Sequence, residues 1–186
     1  MPILDWEPPL WPEDLLDEER IEPEPDGWHW WAVHVRPRSE KMLARKLRVR
    51  RVGYYLPQHE QTKKYQRRTV TSRVPVFPGY LFVCGDQAAY DFSATARETV
   101  APIHVVEQEL LRTQLRNVER LIHAGAPITP EERLETGQPA RIVRGPLAGL
   151  TGHVVRNRRG QKFVLQVQYI QRAVSIEVDG TMVEAV

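Results

Sequence analysis

The segment Ala126-Pro127-Ile128-Thr129-Pro130 divides this chain into two stretches of different hydrophobic period, and that change limits the fold more than any other feature. Before it, strand-like and helix-like runs alternate. After it, every run is β in character. The expectation is an α+β protein with an acidic, proline-rich leader over 1–27 and no packed element of its own. An αβ domain of mainly antiparallel sheet with flanking helices follows over 28–124. A linker over 125–132 then leads to a small β domain over 133–186.

In the first domain Trp31, Val33 and Val35 fall on one face of a strand. Arg36-Pro37-Arg38 breaks it, and Ser39 offers an N-cap for a helix reaching about Arg51, with Leu43 and Leu47 facing the core. A polar stretch from Lys63 to Arg73 predicts a hairpin in solvent. Tyr80-Leu81-Phe82-Val83 predicts a central strand, Asp86 to Arg97 a short helix, and Ile103–Val106 another strand. Leu111, Leu115, Val118 and Ile122 repeat at helical spacing within Glu107–His123. Beyond the linker, five short strands in about 55 residues suggest a small barrel, near the lower size limit for an independent core.

Charge is distributed unevenly. Residues 1–27 hold ten acids and one base, and the rest of the chain hold 25 bases and 14 acids, so the overall +2 conceals a split of −9 against +11. Thirteen of the bases fall within Arg36–Arg73, beside only Glu40 and Glu60. Such a concentration is the electrostatic footprint of contact with a phosphate backbone, although a solvated basic face has the same composition.

No catalytic constellation is present in the sequence. The six histidines form no i, i+4 pair and no HExxH, so neither a metal nor a cofactor is expected, and the chain reads as a non-enzyme. The glycine-rich Gly145-Pro146-Leu147-Ala148-Gly149-Leu150-Thr151-Gly152 lacks the Lys-Ser/Thr ending of a phosphate loop and precedes a strand. Its glycines fit a tight turn. A single cysteine, Cys84, excludes an internal disulfide and fits the cytoplasm. No apolar run approaches the roughly 18–20 residues that span a bilayer, and the start has no signal-peptide pattern. Phe77, Tyr80 and Phe82 form an aromatic cluster, and strand alternation puts Tyr80 and Phe82 on one face together, in the core or at the surface.

Four segments resemble the amino-terminal domain of the NusG family: Trp30-Trp31-x-Val33, Arg36-Pro37-Arg38-Ser39-Glu40-Lys41, Tyr55-Leu56-Pro57 and Phe77-Pro78-Gly79-Tyr80-Leu81-Phe82-Val83. Gly137, Arg141-Ile142-Val143 and the run Gly145–Gly152 resemble the KOW motif of that family's carboxy-terminal SH3-like barrel, and Gln171–Val178 continues it. The resemblance covers residues 28–186 in order. It implies a monomeric transcription elongation or antitermination factor that docks on the clamp helices of RNA polymerase and suppresses pausing or termination. Carried over by position, His34, Phe77, Tyr80 and Phe82 would form an exposed polymerase-facing patch. Arg36, Arg38, Lys41, Lys46 and Arg50 would meet the non-template DNA strand, joined by the hairpin bases Lys63, Lys64, Arg67, Arg68 and Arg73. In the barrel, Tyr169, Ile170 and Arg172 would face a small-subunit ribosomal protein or Rho, with Gln171 standing where the family has glycine. Arg36-Pro37-Arg38-x-Glu40-Lys41 is similar to specialised paralogues of the RfaH and polysaccharide-operon type. A stable β barrel is expected here, without a helical alternative fold. The competing reading is a KOW-type RNA-binding protein associated with ribosomes.

Overall fold

Alternating apolar residues in His29–Val35 (β2) and the apolar run Tyr80–Gly85 (β6) pair antiparallel and form the centre of the first sheet. The computed structural model describes residues 7–17, 27–66, 68–132, 137–157 and 160–186. Contacts within the chain separate two units, Met1–Gln108 and Glu109–Val186.

In the first unit, Leu10–Trp11 (β1), Gly53–Tyr55 (β3) and Thr99–Ile103 (β7) complete a five-stranded antiparallel sheet in the order β1-β3-β6-β2-β7. The register Trp31↔Val83, Val33↔Leu81 and Tyr54↔Val83 puts these side chains on one face. There they pack with Leu43, Ala44 and Leu47 of the helix Glu40–Val49 (α1), with Leu56, and with Ala89 of the helix Gln87–Thr95 (α2). Leu43 and Leu47 face the core as their one-turn spacing requires. Gln58–Tyr65 (β4) and Arg68–Pro75 (β5) form a separate two-stranded ribbon, as expected for the basic hairpin.

Three local expectations are corrected. Ser39 makes no side-chain cap at the start of α1; instead the buried Glu40 carboxylate accepts a hydrogen bond from the Gly79 amide at 2.8 Å. The strand expected at Ile103–Val106 lies earlier, at β7, where an edge position tolerates Pro102. The leader is not without structure over its described part, because β1 pairs with β3 and Leu15 and Leu16 are buried. Apolar side chains at those positions outweigh the composition around them.

In the second unit, Gln108–His123 (α3) buries Leu111, Leu115, Val118 and Leu121. Leu121 takes the place expected for Ile122. The strands are Thr129–Glu131 (β8), Gln138–Ile142 (β9), Thr151–Asn157 (β10), Gly160–Val167 (β11), Arg172–Val178 (β12) and Val183–Ala185 (β13). They form one antiparallel sheet in the order β13-β9-β10-β11-β12-β8. β8 lies inside the segment read as a linker and pairs with β12. β13, at the other margin, does not pair with β8, so the expected closed barrel is not found among the described residues. Gly152, in the glycine-rich run, is required by close approach. A Cβ there would meet the Val164 carbonyl oxygen at 2.7 Å and the Phe163 ring at 2.8 Å.

Candidate functional site

The second face of the first sheet is set by the same alternation that fills its core. Tyr80 lies opposite His34, and Phe82 opposite Ala32 and Tyr55. The His34 and Tyr80 rings stack with centroids 5.2 Å apart. Phe82 contacts Tyr55 and Phe77, each at 6.4 Å between centroids, and the Phe77 ring meets it edge-on. The small Ala32 side chain leaves room for the Phe82 ring across the strand pair. The sequence reading grouped four of these residues; the structure stacks His34 on Tyr80 and sets Phe77 against Phe82.

Their exposure differs from that reading. Phe82 is 0% exposed and Phe77 1%, whereas Tyr80 and His34 are half-buried. The expected four-residue surface patch therefore reduces to the His34–Tyr80 pair. Alternation predicts which face a residue occupies but not what lies over each position, and Tyr80 begins its strand while Phe82 sits two residues inside it.

The basic residues separate into two groups. On the ribbon, Lys63, Lys64, Arg68 and Arg73 are exposed. Lys63 and Lys64 are consecutive on β4 and so point to opposite faces. Arg73 lies 3.7 Å from the exposed Glu60, and the Thr62 and Thr71 hydroxyls meet across the strands at 3.0 Å. Burial holds the His59 imidazole, near the ribbon root, below its ordinary pKa. Arg67 lies outside the described residues.

Around α1 the picture is different. Arg36 and Arg38 are exposed, Arg38 with a left-handed backbone (φ 64°). The other three expected contacts are engaged within the protein. Lys41 Nζ donates to the Arg73 carbonyl at 2.7 Å, tying the helix to the ribbon root. Lys46 Nζ donates to both oxygens of Glu98 at 2.7 and 2.8 Å. Burial raises the Glu98 pKa, but the Lys46 hydrogen bond, a backbone hydrogen bond and nearby positive charge outweigh it and hold the carboxyl below its usual range. The Arg50 guanidinium lies 4.1 Å over the Phe92 ring. Arg45 and Arg48, which the sequence reading did not select, meet the buried carboxylate of Glu7 at 3.1 and 2.7 Å. No local signal joins residues about forty positions apart.

In the second unit Ile170 is buried, so its expected role at the surface is corrected; the turn Gln168–Ile170 points it inward. Tyr169 is half-buried, and Arg172 Nη1 donates to the Glu132 carbonyl at 2.8 Å. Gln171 adopts a left-handed backbone (φ 52°), the conformation for which glycine is the usual residue, and its side chain donates back to the Gln168 carbonyl at 2.7 Å. Among the described residues no group of three or more His, Cys, Asp or Glu side chains could hold a metal ion. Among the described residues no helix is long and apolar enough to cross a membrane.

A family model described as "Transcription termination factor nusG" matches residues 28–135. Among solved structures, one of NusG from Thermotoga maritima, described as "Domain interaction in Thermotoga maritima NusG", is 20% identical with a TM-score of 0.46; the match covers 86% of this chain and 97% of that one. A second, "Crystal Structure of MjSpt4:Spt5 complex conformation B", is 15% identical with a TM-score of 0.29, covering 84% and 96%. No curated protein sequence matches.

Proposed function

The chain belongs to the NusG family of transcription elongation factors, and from that premise we propose that it docks on RNA polymerase through the half-buried His34–Tyr80 pair at the margin of its first sheet while the β4–β5 ribbon meets nucleic acid. The observation behind this reading is the presence, in one unit, of the half-buried His34–Tyr80 stack and an exposed cationic ribbon. Aromatic rings with a polar edge favour protein interfaces, because they bury much area and still hydrogen-bond at the rim. Exposed lysines and arginines on a ribbon suit phosphates without selecting bases. Binding without turnover would bias a transcribing enzyme against pausing or termination, with the clamp helices as the docking partner and the displaced non-template strand as the nucleic acid.

Action at particular operons, in the manner of a specialised paralogue, rests on Arg36-Pro37-Arg38-x-Glu40-Lys41, whose Arg36 and Arg38 are exposed. The second unit, with its KOW-like glycines and SH3-like strand content, would hold a ribosomal or termination partner near Tyr169 and Arg172. Retention on immobilised core polymerase tests the docking face. His34→Ala/Tyr80→Ala lowers retention about tenfold, roughly 1.4 kcal/mol, with the fold intact by circular dichroism; equal retention of variant and wild type overturns it. Phe77 and Phe82 are unsuitable for this test, since their truncation would unpack the sheet.

A further inference from the structure

Glu7 is the most unusual charged residue in the first unit. It belongs to the acidic leader, yet it is only 2% exposed, and its carboxylate meets three groups. Arg48 approaches with Nε 2.7 Å from Oε1 and Nη2 3.4 Å from Oε2, a forked contact. Arg45 Nε lies 3.1 Å from Oε2, and the Tyr54 hydroxyl 3.3 Å from Oε1. Around this contact the leader is held by backbone. The Leu56 amide donates to the Pro9 carbonyl at 2.6 Å, Tyr54 Oη lies 3.0 Å from the Pro8 carbonyl, and β1 extends the sheet. Leu15 packs against Gly53, where an added Cβ would stand 3.3 Å from its methyl carbons.

We propose that Arg45, Arg48 and Tyr54 form a phosphate-binding site for single-stranded nucleic acid, and that Glu7 closes it in the free protein by occupying the place of a phosphate. The proposal deepens the nucleic-acid part of the function above and rests on it. A guanidinium fork receives carboxylate and phosphate oxygens in the same planar geometry, so a site built for one accepts the other. Both arginine side chains keep a third or more of their surface, 34% and 42%, whereas the Glu7 side chain is fully covered. Part of each arginine thus borders solvent, the side from which an anion would approach once Glu7 withdraws. Position on α1 gives the direction of the strand. Lys41, Arg45 and Arg48 follow at i, i+4 and i+7 on one side of the helix, and Lys41 is bonded to the carbonyl of Arg73 on the ribbon. The row thus continues the cations of β5 onto the helix. Burial and the neighbouring Glu7 charge raise the Tyr54 pKa, so its hydroxyl stays a neutral donor for whichever anion is present. A plain structural staple would share this geometry, but it would not exchange with nucleic acid.

The affinity of oligodeoxythymidine binding and its salt dependence separate the two. Each phosphate contact contributes about 0.7 to the slope of log K against log salt for single strands. Strand binding displaces Glu7 from the wild-type chain too, so Glu7→Gln keeps the wild-type slope and tightens binding by about tenfold, because the competing carboxylate is gone. Glu13→Gln, at an exposed leader position, removes the same charge and leaves the affinity within about twofold of wild type. Adding Arg45→Ala/Arg48→Ala to Glu7→Gln flattens the slope by about 1.4. Equal affinities for Glu7→Gln and Glu13→Gln overturn the proposal. The wild-type chain supplies a test that needs no variant: saturating oligodeoxythymidine speeds hydrogen exchange of the Leu56 amide several-fold, because that amide is bonded to Pro9 of the leader. Unchanged Leu56 exchange overturns the proposal even where Glu7→Gln fails to fold. Polymerase retention is read in a separate assay, so failure of the docking face is distinguishable from failure here.

Discussion

The helix α1 and the ribbon β4–β5 are alike in sequence, both short and crowded with lysine and arginine, yet the structure uses their charges differently. On α1 the cations reach inward or sideways to Glu7, Glu98, the Phe92 ring and the Arg73 carbonyl. On the ribbon, Lys63, Lys64 and Arg68 are exposed on strands with no apolar layer beneath them. The helix has a buried face to defend, and its long side chains cover the rim of that face with their stems. A two-stranded ribbon has no such face and is marginal alone. Its charges remain available for a partner. Equal charge density in a sequence therefore does not mean equal availability.

The comparison breaks most visibly at the buried side of the helix. Leu47→Ala lowers unfolding free energy by about 2–5 kcal/mol, whereas Val70→Ala on the ribbon costs less than about 1 kcal/mol; comparable losses in urea denaturation would show that the ribbon is packed as the helix is. A smaller effect sharpens the contrast at Glu98. Lys46→Ala leaves a nearly buried carboxylate without its principal donor and costs roughly 1–2 kcal/mol at neutral pH. Because the folded Glu98 pKa is depressed, this contribution is present above the ordinary carboxylate pKa and disappears as pH falls through the lower, folded value. The gap between Lys46→Ala and wild type closes on acidification; a gap constant down to pH 2 would refute the assignment. The smallest stability effect belongs to Lys63→Ala/Lys64→Ala/Arg68→Ala, within about 0.5 kcal/mol of wild type. That variant nevertheless flattens the salt slope of single-strand binding by about 2, and an unchanged slope would remove the ribbon from the nucleic-acid interface.

Much of the first unit was legible because period and chemistry agreed. Trp31, Val33 and Val35 alternate, Leu43 and Leu47 stand a turn apart, and Asp86 caps α2 by accepting from the Ala89 amide at 2.9 Å. The ribbon followed from polar, β-branched composition. What escaped was relational. Nothing near Glu7 in the chain announces Arg45 and Arg48, and six prolines among ten acids conceal that Leu10, Trp11, Leu15 and Leu16 find the sheet. Alternation paired Tyr80 with Phe82 correctly, but coverage of Phe82 depends on Tyr55 and Phe77, which come from other elements. In the second unit most strands were foreseen, but the expected closure is not found among the described residues, because strand propensity contains no information about which margins meet.

The two-residue strand β1 has a practical consequence. Residues 28–135 are the natural limits for anyone trimming the gene to its recognisable family portion. Cutting there would strip β3 of its neighbour and leave unpaired amides and carbonyls along a raw border, an invitation to stack with other copies. A fragment beginning at residue 7 keeps that border sealed, and is the shorter piece to choose for crystallisation or spectroscopy.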